Sequence, residues 1–250
     1  MYLYGMLDEK KEWFADWFDT TYYHTLYQNR DDVEAKKFIT RLVQELPLLE
    51  GAHVLDLACG KGRHAITLSE LGFEVLGVDL SPNSISCAAS FEDDHLKFAV
   101  HDMREVIVGE RFQAIFNLFT SFGYFDSLED NARVVSAIST MLEDDGLLVI
   151  DFMNAHRVIK QLVETESKTL DDITFNISRE FDGTHIFKNI SFFADGQNHY
   201  FTERVQGLFL ADFTSLLESE NFQILRTFGD FDLNPFNEDE SDRLIIIAKK

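Results

Sequence analysis

The chain has 250 residues, 45% of them apolar and 24 of them phenylalanine, enough to bury a full core and too apolar for a disordered segment. Forty-four acidic against 22 basic residues give a formal charge of −22. Such a field repels nucleic-acid phosphate and anionic membrane surfaces, so a small neutral or cationic partner fits better.

Residues 7–27 carry Trp13, Phe14, Trp17, Phe18 and Tyr22 at helical spacing, the pattern of an amphipathic helix. Asp31-Asp32-Val33-Glu34 then reads as a helix N-terminus with capping-box spacing, and Phe38, Ile39, Leu42, Val43 and Leu46 supply that helix's buried stripe before Pro47. Residues 54–57 form an apolar strand that breaks at Gly60 and Gly62 and turns into a helix over 63–71, stopped by Gly72. A strand that breaks at glycine and enters a helix gathers unpaired N–H groups and the positive helix end at one point. Glycine at 60 and 62 is expected to let a ligand approach the backbone. The alternation continues with strand 73–78 ending at Asp79, helix 83–91, strand 96–100 ending at Asp102, strand 112–119, helix 128–142 and strand 147–152.

From 170 to 209 the pattern turns antiparallel. Runs 174–181, 184–194 and 199–208 are separated by Asp182-Gly183 and by Asp195-Gly196-Gln197-Asn198, which predicts a three-stranded meander. Helix 212–221 and strands 222–228 and 243–248 follow, with Asp232, Asn234 and Arg243 as rim residues within reach of a substrate.

The loop fits two cofactors on spacing alone. Gly60-Lys61-Gly62-Arg63-His64-Ala65 matches the G-x-G-x-x-G/A dinucleotide fingerprint, and Asp79 suits a ribose in either case. Asp56, however, would set a carboxylate beside a pyrophosphate. S-adenosylmethionine carries no phosphate and has a cationic ammonium and sulfonium, which an acidic loop suits. Asp102 is placed to accept from an adenine amino group.

With these residues the chain resembles the class I S-adenosylmethionine-dependent methyltransferases, and at its ends a bacterial small-molecule subgroup. Asp56-Leu57-Ala58-Cys59-Gly60-Lys61-Gly62 is similar to their motif I, Val78-Asp79-Leu80-Ser81 to motif II and His101-Asp102-Met103 to motif III. Phe116–Phe125 is similar to their fourth strand and following loop, and Asp144-Asp145-Gly146 to the turn before the fifth strand, so the likeness covers roughly residues 40 to 155. The resemblance implies an α/β, Rossmann-like, mostly parallel sheet with its last strand antiparallel, carrying the β meander as an insertion. It implies one domain: a helical lid over 1–47, a cofactor-binding core over 48–155, the β insertion over 165–209, and a C-terminal helix and strands over 210–250.

The expected reaction is methyl transfer to O or N of a small molecule. Asp56, Ala58, Gly60, Gly62, Asp79, Leu80, Asp102, Met103 and Asn117 are expected to hold the cofactor, with Tyr22 and Arg30 closing over it. Tyr23, Tyr27, Ser121, Tyr124, Arg179 and Arg204 are substrate-side candidates, and His24, Tyr124 and His156 are candidate bases if the acceptor needs one. Two other readings stand beside this: an NAD-dependent oxidoreductase using the same loop, and a non-catalytic S-adenosylmethionine-binding protein.

Asp151 and Asn154 offer oxygens but Asn117 stands where a third carboxylate would be needed, so no metal is expected. Cys59 and Cys87 have no metal or disulfide spacing and are expected to pack as small buried side chains. The N-terminal stretch lacks signal character and no segment approaches ~20 apolar residues, so the expectation is a cytoplasmic monomer or homodimer without nucleic-acid or membrane partners.

Overall fold

The computed structural model describes residues 17–27 and 32–250. Trp13, Phe14, Arg30 and the Asp31 cap lie outside the described residues. In chain order the elements are α1 (Thr21–Leu26), α2 (Asp32–Gln44), β1 (His53–Leu57), α3 (Arg63–Glu70), β2 (Glu74–Asp79), α4 (Pro82–Ala88), β3 (Leu96–Val100), β4 (Phe112–Asn117), α5 (Leu128–Met141) and β5 (Leu142–Met153). There follow α6 (Ala155–Lys160), β6 (Thr165–Leu170), β7 (Ile173–Phe181), β8 (His185–Ala194), β9 (Gln197–Gln206), α7 (Leu210–Ser219), β10 (Gln223–Phe228) and β11 (Arg243–Lys249).

Seven strands form the main sheet in the order β10-β11-β5-β4-β1-β2-β3. Strands β1 to β5 pair in parallel, and β11 inserts antiparallel between β5 and β10, as expected. Helices cover both faces. Leu57, Ile115, Ile150 and Phe152 face Val134, Ile138 and Phe213 from α5 and α7. On the other face Val54, Phe116, Val149 and Ile247 pack with Phe38, Ile39 and Leu42 of α2 and Leu68 of α3. Double coverage is why these strands read as unbroken apolar runs. In β11, Ile245, Ile246 and Ile247 are all buried, and each such side chain contributes roughly 1.5–3 kcal/mol.

The expected meander has four strands, not three, in the order β6-β7-β8-β9. Strand β6 (TESKTL) escaped the sequence pattern because every residue but Leu170 is polar and none is buried, so no apolar alternation marks it. It joins β7 through Asp171 and Asp172, both with positive φ, as a tight hairpin turn requires. Cys59 is buried as expected, but Cys87 is exposed, which corrects that reading. No helix among the described residues is long and apolar enough to cross a membrane.

Residues 17–27 tie the two sheets together. Trp17 is buried with its ring 4.3 Å from that of Phe201, and its indole N–H donates to Glu203 at 2.7 Å. The Tyr27 hydroxyl donates to the same carboxylate at 2.6 Å. At the other end of the segment Asp19 accepts from the Ser81 hydroxyl at 2.5 Å and from the Asn83 side chain at 2.7 Å, beside the end of β2.

Candidate functional site

The carboxyl ends of β1, β2, β3 and β4 open into a cleft of about 320 Å³, roofed by residues 18–24 and by the loop after β4. Its position follows from topology. β1 has β2 on one side and β4 on the other, so the connections leaving their carboxyl ends diverge and leave a crevice.

The floor is the loop after β1. Ala58 and Gly60 line the cleft and take positive φ, 65° and 57°. A Cβ added at Gly60 would meet nothing within 4 Å, so this backbone is open to a ligand. Its amide donates to Asp79 Oδ2 at 2.8 Å, and the Ser81 amide donates to Oδ1 at 2.9 Å. Each oxygen of Asp79 therefore keeps a lone pair, and the side chain lines the cleft. Burial raises its pKa against the pull of those amides.

Gly62 serves a different purpose from the one expected. A Cβ there would come within 2.6 Å of the Phe98 ring, and the residue is the N-cap of α3 at φ 83°. It is needed for packing and for the turn, and it is not on the cleft wall. A glycine cap has no side chain to offer the first turn, and Asp56 supplies that group from β1 by accepting from the Ala65 amide. Asp56 is 1% exposed and lies under the loop, off the cleft wall. Burial pushes its pKa up to about 7, and its Oδ2 has no hydrogen-bond partner among the described residues.

Leu80, Met103 and Asp102 all line the cleft. The oxygens of Asp102 are already engaged: Arg104 donates to them at 2.6 to 3.1 Å, through its backbone amide and its guanidinium. Burial opposes ionisation, but these bonds outweigh it and hold the carboxyl below its usual range. Asn117 does not line the cleft. It is wholly buried, and its Nδ2 donates to the Leu57 carbonyl at 3.0 Å, tying β4 to β1.

Among the roof and substrate-side candidates, Tyr23, His24, Ser121 and Tyr124 reach the cleft. Others do not, because each is claimed by a closer partner. Tyr22 turns to the second sheet, its hydroxyl 2.5 Å from Asp195 and its ring against Phe192. Tyr27 is held between Glu203 and Lys188. Arg179 pairs with Glu166, Arg204 with Asp126, and His156 lies 3.3 Å from the Glu238 carbonyl. The rim residues are likewise engaged, Asp232 with Arg41, Asn234 with Asp230, and Arg243 with Asp151.

The sequence pattern missed Phe18, Lys61, Arg63 and Phe119, all of which line the cleft. Apolar periodicity carries the fourth strand through Phe119. In the structure β4 stops at Asn117, and Phe119 and Thr120 both take positive φ, 64° and 63°, a conformation costly for side-chain-bearing residues. Buried Asp151 holds them there. Its Oδ2 accepts from the Phe119 amide at 2.9 Å and its carbonyl from the Thr120 amide at 2.9 Å. Arg243 completes the clamp, donating to Asp151 Oδ1 at 2.8 Å and to the Thr120 hydroxyl at 3.0 Å.

The profile of a family described as "Methyltransferase domain" matches residues 27–204. The glycine/sarcosine N-methyltransferase of Aphanothece halophytica is 28% identical over 215 residues, covering 79% of this chain and 76% of the relative. An S-adenosylmethionine-dependent methyltransferase from Clostridium acetobutylicum superposes with a TM-score of 0.76 at 21% identity, over 91% of this chain and 95% of that one. A sugar N-methyltransferase from Streptoalloteichus does so with a TM-score of 0.70 at 22% identity, over 91% and 92%. The structural likenesses carry the fold, and the profile carries the membership and sets aside the NAD-dependent reading. The open-backbone floor beside Asp79 and the matched profile lead to one conclusion: this chain belongs to the methyltransferase family and takes S-adenosylmethionine as its cofactor.

Proposed function

We propose that the cleft transfers a methyl group to O or N of a small acceptor, with the cofactor laid across the ends of β1, β2 and β3. The observation that carries this is the meeting of Ala58, Gly60, Asp79, Leu80, Asp102 and Met103 on one wall. The free lone pairs of Asp79 take the ribose hydroxyls. Leu80 and Met103 bracket the adenine by dispersion contact, and the open backbone at 58–60 receives the methionyl part. When bound, the cofactor supplies an electrophilic methyl whose C–S bond leaves its electron pair on sulfur as the acceptor's lone pair forms the new bond. The protein's contribution is to orient the acceptor and exclude water, which residues 18–24 do by roofing the cleft.

The acceptor lies toward β4, where Tyr23, His24, Ser121 and Tyr124 face it across the cleft. A relative named for methylating glycine and sarcosine supports a small acceptor, and the −22 charge disfavours phosphate polymers. The two sheets act as one domain, since residues 17–27 are fastened to both.

Calorimetric titration with S-adenosylmethionine and S-adenosylhomocysteine, with NADH as control, tests the cofactor assignment. Formation of S-adenosylhomocysteine across a panel of glycine, sarcosine, amino sugars and phenols tests the transfer. Uptake of NADH in place of the sulfonium compound overturns the reading.

A further inference from the structure

Part of the cleft wall is aromatic. The ring of Phe18 lies 4.8 Å from Tyr23 and 5.2 Å from Tyr124, and all three line the cleft with His24. The two lining carboxylates, Asp79 and Asp102, belong to the ends of β2 and β3, and the lining cations Lys61 and Arg63 to the glycine loop and the first turn of α3. In the corner built by residues 18–24 and 121–125, the rings of Phe18, Tyr23 and Tyr124 border the cleft, while the Arg104 guanidinium already lies over the Phe125 ring, 4.8 Å from its centre.

Ring faces attract cations and give an anion nothing. Of the acceptors open to this enzyme, a phenolate or carboxylate loses negative charge on methylation and ends neutral. An amine gives up its lone pair and ends positively charged until a proton leaves it. Only the amine develops the charge that this corner stabilises, and the overall −22 charge acts in the same direction.

We propose that Phe18, Tyr23 and Tyr124 form the subsite for the acceptor nitrogen, so that the substrate class is an amine and the product an N-methylated ammonium compound. This rests on the cofactor lying as described above, and the test separates the two.

The full chain, saturated with S-adenosylhomocysteine, is titrated calorimetrically with tetramethylammonium chloride and with neopentyl alcohol, an uncharged probe of similar shape. The expected result is binding of tetramethylammonium at least tenfold tighter than the alcohol. Tyr124→Leu and Phe18→Leu should each weaken it by roughly 5- to 30-fold, while Tyr124→Phe retains it and affinity for S-adenosylhomocysteine stays unchanged. Because Phe18 also packs on the core, the Tyr124 pair carries the test if Phe18→Leu fails to fold. Equal binding of the two probes, or tetramethylammonium binding indifferent to Tyr124→Leu, overturns the subsite. So does a Tyr23→Leu variant that loses affinity for S-adenosylmethionine but not for S-adenosylhomocysteine, since the rings would then face the sulfonium. Failure of S-adenosylhomocysteine itself to bind overturns the cofactor reading instead.

Discussion

Replacing Asp56 by asparagine tests what a buried carboxylate under the glycine loop costs. In the folded chain its pKa stands at about 7 against an ordinary 3.8, chiefly through burial. That gap corresponds to about 4 kcal/mol at 1.36 kcal/mol per tenfold change in acidity. The folded state holds this proton more tightly than the unfolded one. Between pH 3.8 and about 7, then, the native chain binds more protons, and stability falls as pH rises. Its benefit is fully present below the lower value and gone above the upper one. An asparagine side chain would keep an oxygen for the Ala65 amide without ever ionising. Urea denaturation of both proteins at half-unit steps from pH 5 to pH 8 should show the wild type losing about 2–3 kcal/mol more than Asp56→Asn over that range. Parallel stability curves for the two proteins would refute the reasoning, since the pH dependence would then arise elsewhere.

Asp79→Ala should weaken S-adenosylmethionine binding by about 1.5–3 kcal/mol, the scale of hydrogen bonds to a charged group, as read by calorimetry; unchanged affinity would mean that the ribose is held elsewhere. The two glycines should separate by assay. Gly62→Ala meets Phe98 and should cost about 2–4 kcal/mol of stability from strain and overpacking, whereas Gly60→Ala should fold but bind the cofactor poorly. Asp151→Asn loosens the Phe119–Thr120 clamp and should lower stability by about 1–3 kcal/mol. Adding Thr120→Gly should recover about 1 kcal/mol, because glycine takes positive φ without help; thermal denaturation of the single and double variants checks both.

The strand-and-helix alternation was legible because the sheet is covered on both faces, so periodicity alone marks β1 to β5. The acids at the ends of β2 and β3 were legible by register. What stayed hidden depended on partners far along the chain. Tyr22 and Tyr27 look alike as roof residues, but Asp195 and Glu203, more than 170 positions away, draw them to the second sheet. Gly62 looks like ligand clearance because Phe98, the ring that occupies its missing Cβ, lies on β3. Phe119 looks like strand because nothing local announces a left-handed Phe-Thr pair. Its cause is Asp151 and Arg243, which a one-dimensional pattern does not bring together. Strand β6 carries one apolar residue, Leu170, too little for a period to show.

The clamp at Phe119 depends on β11 for its guanidinium, and β11 slots between β5 and β10, which have the whole second sheet between them along the chain. A growing polypeptide can assemble β1 to β5 and their helices first. Its donor crevice would then exist while the opposite lip still lacked Arg243. The lip that carries Phe119 should therefore be the last part of the cleft to be set.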